Sequence, residues 1–129
     1  MGITFTKAKI SNPRRRRSSL ELELLVDTGA IYSVIPESVA RKLALEKIDH
    51  EEFTLADGTH YACDVGEAFF EMSDRRGTSK VAFGPPDVFL MGALTLESLG
   101  LMVNPITREV SPMRLFLASS RLLFRARLR

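Results

Sequence analysis

Asp27 is the side chain in this sequence best placed to do chemistry. Leu20-Glu21-Leu22-Glu23-Leu24 alternates strictly, Leu24-Leu25-Val26 then runs apolar on both faces, and Asp27-Thr28-Gly29-Ala30 follows without a gap. A carboxylate at the end of a buried strand is costly to place, and the glycine beside it permits a tight turn. The plainer reading is an ordinary turn in which the carboxylate bonds local amides. Other reactive residue types are sparse. His60-Tyr61-Ala62-Cys63 brings a histidine near a cysteine, but zinc needs three or four ligands and His50 is the only other histidine, so no metal is expected. Cys63 has no paired nucleophile motif and reads as a half-buried packing residue on a strand. Arg14-Arg15-Arg16-Arg17 reads as a solvated loop. A nucleic-acid contact there is disfavoured because no interleaved aromatics or recognised binding fold accompany it.

The elements around Asp27 follow from periodicity and turn chemistry. Ile3-Thr4-Phe5-Thr6 alternates as a short strand that ends before the turn signal Ser11-Asn12-Pro13. Beyond Val34-Ile35, Pro36-Glu37-Ser38 opens a short helix over roughly residues 36–45, with Val39, Ala40 and Leu43 facing inward. Phe53-Thr54-Leu55 and His60-Tyr61-Ala62-Cys63 flank Ala56-Asp57-Gly58-Thr59, and Asp-Gly between strand-like runs predicts a protruding hairpin. Gly66 to Met72 and Ser79 to Phe83 read as strands joined by the turn Ser73-Asp74-Arg75-Arg76-Gly77. Val88-Phe89-Leu90-Met91 reads as a buried strand stopped by Gly92. Thr95 to Gly100, with a cap-type residue at one end and glycine at the other, predicts one or two helical turns, and Leu101-Met102-Val103 leaves them as a strand. Phe69, Phe70, Phe83 and Phe89 are assigned to the core.

At 129 residues, with 45% hydrophobic and 26% charged side chains, the chain suits one folded domain spanning 1–129 rather than a disordered, collagen-like or membrane-spanning polymer. A single cysteine excludes an internal disulfide. The absence of a signal-like start or a membrane-length apolar run makes the cytoplasm the expected compartment. The net charge of +2 hides segregation: residues 1–17 sum to +6, residues 108–129 to +5 and the body between them to −9. Basic segments at 1–19 and 119–129 thus flank an acidic core, and they can reach an anionic surface or fold back on the body or a second subunit.

In order and spacing, the apolar run ending in Asp27-Thr28-Gly29-Ala30, the stretch Ile31-Tyr32-Ser33-Val34-Ile35-Pro36, the Asp57-Gly58 hairpin, and Phe89-Leu90-Met91-Gly92-Ala93 followed by Leu96-Glu97-Ser98-Leu99-Gly100-Leu101 resemble the retropepsin-like aspartic proteases. The resemblance covers roughly residues 20–105. It implies an all-β, retropepsin-like acid protease barrel, closed or nearly closed, with one or two short helices, active as a homodimer. Two carboxylates within hydrogen-bonding distance cannot both ionise, so one serves as base on a water and the other as acid on the scissile carbonyl. The chain carries one Asp-Thr-Gly, since Ala56-Asp57-Gly58-Thr59 has the wrong order and flanks, so the dyad requires a second copy across a two-fold axis.

By that resemblance Asp27 is the catalytic carboxylate, the Thr28 hydroxyl braces the loops across the axis, and Gly29 lets substrate approach. Ala30 stands where bilobal relatives often have serine. One fewer donor then faces the ionised dyad, which implies activity reaching toward neutral pH. The hairpin becomes a flap: Leu55, Ala56, Asp57, Gly58 and Thr59 would close over an extended peptide held as an added strand, with Tyr61 and Leu55 lining pockets and Ala30 and Gly92 also binding substrate. No cofactor is implied. Two departures stand out, a flap with a single glycine and Ala93 where viral relatives carry an anchoring arginine. They leave open a binding or assembly domain of the same fold with little turnover. Arg114-Leu115-Phe116-Leu117-Ala118 is the candidate interface strand. Arg121 to Arg129 puts Leu122, Phe124, Ala126 and Leu128 on one face at strand spacing, with no role assigned.

Overall fold

The computed structural model describes residues 3–72 and 74–117. Nine strands and two short helices are present among them: β1 (Phe5–Asn12), β2 (Arg15–Val26), β3 (Ser33–Pro36), α1 (Glu37–Lys42), β4 (Lys47–Thr54), β5 (His60–Met72), β6 (Arg75–Gly84), β7 (Leu90–Met91), α2 (Ala93–Leu99), β8 (Leu101–Asn104) and β9 (Glu109–Pro112). Seven strands form one sheet in the order β1-β2-β7-β3-β6-β5-β4, and a further β1–β5 pairing curls that sheet back on itself. Strands β8 and β9 make a separate pair. The core lies inside the curl, where Ile10, Leu24, Ile35, Ala68, Phe70, Val81 and Met91 are fully buried.

Alternation explains most of this burial. Along β1, Ala8 and Ile10 point inward while Lys7 and Lys9 stay exposed, and these lysines sit opposite Glu23 and Glu21 of β2. Strand β1 is longer than its alternating start suggested. It continues through Ser11 and Asn12 because β2 and β5 both pair with it.

The arginine block is likewise a correction to the expected loop. Only Arg14 lies in a turn; Arg15, Arg16 and Arg17 open β2 and are exposed, Arg15 pairs with Asn12 of β1 where the register shifts, and the Arg16 guanidinium lies 4.7 Å over the Phe69 ring. The Arg15–Asn12 pairing and the cation–π contact of Arg16 thus order a run that charge alone marks as solvated.

Helix α1 follows Pro36 and buries Ala40, with Leu43 buried just beyond it. Helix α2 starts two residues before the expected Thr95. Its N-cap is Gly92, and Thr95 is buried inside the helix, so its hydroxyl serves the core rather than the cap. Gly100, at φ 65°, ends α2 as anticipated. Residues 114–117 are not a strand, and Ala118 together with the 119–129 tail lies outside the described residues.

Candidate active site

Parallel pairing of β2 with β7 sets Leu25 beside Leu90 and Val26 beside Met91, so both strands end at the same level. Asp27 emerges there, with its N–H donating to the Met91 carbonyl at 3.0 Å. The chain then turns on Asp27 itself. Gly29 N–H donates to Asp27 Oδ1 at 2.9 Å and Ala30 N–H to the Asp27 carbonyl at 3.1 Å. These bonds engage one carboxylate oxygen and leave Oδ2 available. Asp27, Thr28 and Gly29 are exposed in the single chain, so the burial cost anticipated for the carboxylate does not arise there.

Helix α2 holds the loop from behind. The first amides of a helix have no partner within it. Here Ala93 N–H donates to the Ala30 carbonyl at 2.8 Å and Leu94 N–H to the Ile31 carbonyl at 3.0 Å. Gly92 N–H donates to Ser33 Oγ at 3.0 Å. Any larger residue at Gly92 would put a Cβ 2.5 Å from the Tyr32 carbonyl group, so backbone contact demands glycine.

A cleft of about 610 Å³ opens beside Asp27. Asp27, Gly29, Ala30, Ile31 and Tyr32 line its floor, Val88 and Leu90 one wall, and Phe53, Leu55, Ala56, Tyr61 and Cys63 of the β4–β5 hairpin the other side. Asp27 is the only carboxylic side chain among the described residues that line it, and no lysine, arginine or histidine joins it there. The hairpin tip is tightly made: Leu55 N–H donates to the Thr59 carbonyl at 2.7 Å and Gly58 N–H to the Leu55 carbonyl at 2.9 Å. Gly58 sits at φ 88°, a conformation that disfavours side chains. Asp57 Oδ1 accepts from the Thr59 hydroxyl at 2.6 Å and from its N–H at 2.9 Å, and these bonds, the hydroxyl foremost, hold Asp57 below the usual carboxylate range.

The sequence profile described as aspartyl protease matches residues 17–105. The chain belongs to this aspartyl protease family. Among curated proteins nothing matches. Among solved structures it is similar to EIAV protease complexed with the inhibitor HBY-793, with a TM-score of 0.59 and 21% identity, covering 77% of this chain and 89% of that one. The chain therefore has the retropepsin-like fold expected from its motifs.

Of the site residues expected in this aspartyl protease family chain, Asp27, Gly29, Ala30, Leu55 and Ala56 line the cleft together, as does Tyr61. Asp57, Gly58 and Thr59 form the hairpin tip beyond it. Thr28 is exposed beside Asp27, whereas Gly92, expected to bind substrate, lies behind the loop against the Tyr32 and Ala30 carbonyls and not among the residues lining the cleft. Cys63 is buried more deeply than expected, and burial, aided by neighbouring Asp64 and Glu51, pushes its thiol up and disfavours the thiolate.

Two features around this cleft escaped the sequence. Ser33, Thr95 and Ser79 form a buried chain of hydroxyls beneath the loop, at 2.5 and 3.0 Å. Tyr32 and Phe53 meet across the cleft with ring centroids 5.7 Å apart. A tyrosine soon after Asp-Thr-Gly was the one available hint, since a large aromatic in a short loop needs a partner.

Proposed function

We propose that the chain is an aspartic endopeptidase working as a homodimer, in which Asp27 and its copy form the catalytic dyad. The observation that supports this most is an exposed Asp27 carboxylate on the floor of an otherwise apolar cleft, beneath a hairpin long enough to cover a peptide. One carboxylate removes a proton from water, whose oxygen attacks the scissile carbonyl carbon. The other carboxylic acid protonates the carbonyl oxygen, giving a neutral diol. A proton then passes to the amide nitrogen as the C–N bond breaks, freeing acid and amine and restoring the shared proton. No covalent intermediate or cofactor takes part.

In this reading Thr28 braces the loop across the axis. Ala30 and Leu55 to Thr59 hold an extended, largely apolar segment by backbone bonds and side-chain contacts, and Gly92 keeps the loop seated. Assembly is required because one chain supplies one Asp-Thr-Gly. A cytoplasmic setting belongs to the same proposal, supported by the free thiol of Cys63. No helix among the described residues is long and apolar enough to cross a membrane.

A second reading, a binding domain with little turnover, has one observation in its favour: Asp27 Oδ1 is already satisfied by Gly29 within its own turn. Digestion of a mixed peptide library, with Asp27→Asn as control and sedimentation in the same buffer, separates the two. Cleavage by wild type alone supports the protease. A confirmed dimer that cleaves nothing supports the binding domain.

A further inference from the structure

We propose that Tyr32 and Phe53 form a latch that sets the height of the β4–β5 hairpin above Asp27, with Lys80 steadying Tyr32. This rests on the reading of the cleft as the peptide site. Strand β4 is the outermost strand of the sheet and pairs with β5 alone, so the ladder leaves its far edge unsupported. Its polar residues add little: the pairs of Asp64 with His50 and Lys47 are exposed, and such pairs contribute weakly. Phe53 is the one partly buried apolar side chain of β4, and it stands two residues before Leu55, where the turn begins.

The partner of Phe53 belongs to the loop that carries Asp27. The Tyr32 and Phe53 rings lie 5.7 Å apart at 82°, the edge-to-face arrangement that aromatic quadrupoles favour. Lys80, from β6, places Nζ 5.4 Å from the Tyr32 ring centroid and donates a long 3.5 Å hydrogen bond to its hydroxyl. A body strand, the Asp27 loop and the hairpin are thereby tied at one point. Among the described residues this is the only aromatic pair. Lifting the hairpin to admit a peptide must separate these rings, so their contact holds the empty site near its closed form and lowers the cost of ordering the hairpin on substrate. Tyr32 and Phe53 are therefore positioning residues, acting through Leu55 and Ala56.

Native-state hydrogen exchange on the full chain tests the latch directly. Tyr32→Ala and Phe53→Leu should each speed exchange of the Leu55 and Gly58 amides about tenfold, while amides of β6 keep their protection. The double variant should be within about twofold of either single one, because both remove the same contact. Tyr32→Phe, which keeps the ring, should restore most of the protection. With a cleaved peptide, Tyr32→Ala should raise KM by a larger factor than it lowers kcat. Hairpin protection unchanged in both single variants, or loosening that spreads equally through β6, would overturn the proposal. The exchange arm reads the latch even if the wild type cleaves nothing, whereas failure of the protease reading shows only in the comparison with Asp27→Asn.

Discussion

Ser33 Oγ and Thr95 Oγ1 lie 2.5 Å apart in the core, joining the strand that follows the Asp27 loop to the helix behind it. Both side chains are fully buried, Ser79 extends the chain of hydroxyls, and Ser33 also accepts the Gly92 N–H. Every buried polar side-chain atom of the described residues has a partner. Removing one member therefore strands the others. Thr95→Val keeps the shape but leaves Ser33 and Ser79 short of a partner, and Ser33→Ala takes the acceptor from Gly92. Each should cost about 1–3 kcal/mol, seen in urea as a lower midpoint with unchanged slope. A loss below about 0.5 kcal/mol would mean that the network is dispensable.

Gly92→Ala tests the seating of the loop separately. The added methyl would meet the Tyr32 carbonyl at 2.5 Å and the Ala30 carbonyl oxygen at 2.9 Å, and neither backbone group can rotate away. The loop must shift, with an expected stability loss of about 1–3 kcal/mol. A shift of 1 Å at a catalytic group can lower turnover about a hundredfold. Wild-type peptide cleavage in a folded Gly92→Ala protein would show that the loop tolerates displacement.

The hairpin should lose stability in acid. Asp57 is held low chiefly by the Thr59 hydroxyl, and Asp64 chiefly by its hydrogen bond with His50. A carboxylate lowered on folding contributes stability that is fully present above its unfolded pKa, near 4, and lost as pH falls through the folded value. Wild type should therefore melt higher than Asp57→Asn at pH 6, with the gap closing toward pH 2. Circular dichroism melts across that range provide the check, and a gap constant with pH would assign the effect to something other than the charge.

Much of this architecture was legible because its signals are local. The switch from alternation to an all-apolar run at Leu24-Leu25-Val26 marked where the strand enters the core and delivers Asp27. Asp57-Gly58 marked the hairpin, and Gly100 the end of α2. What escaped depends on contacts between distant segments. Arg15 to Arg17 open β2 where Arg15 pairs with Asn12 of β1 and Arg16 lies over the Phe69 ring. Thr95 has the residue type of a cap, yet it lies inside α2 because Ser33 and Ser79 provide buried partners there. The exposed β4 residues Lys47 to His50 show no apolar alternation, because an edge strand facing solvent needs none.

In the proposed dimer two chains contribute one Asp27 each to a single site, and subunit mixing reads that sharing out. Wild type and Asp27→Asn are combined in varied ratio at fixed total concentration, allowed to exchange subunits, and assayed on a cleaved peptide. A shared dyad makes activity follow the square of the wild-type fraction, about one quarter of the full rate in an equal mixture, because only wild-type pairs hold two carboxylates. Activity falling in simple proportion, to about one half, would contradict the account, because each chain would then be acting alone.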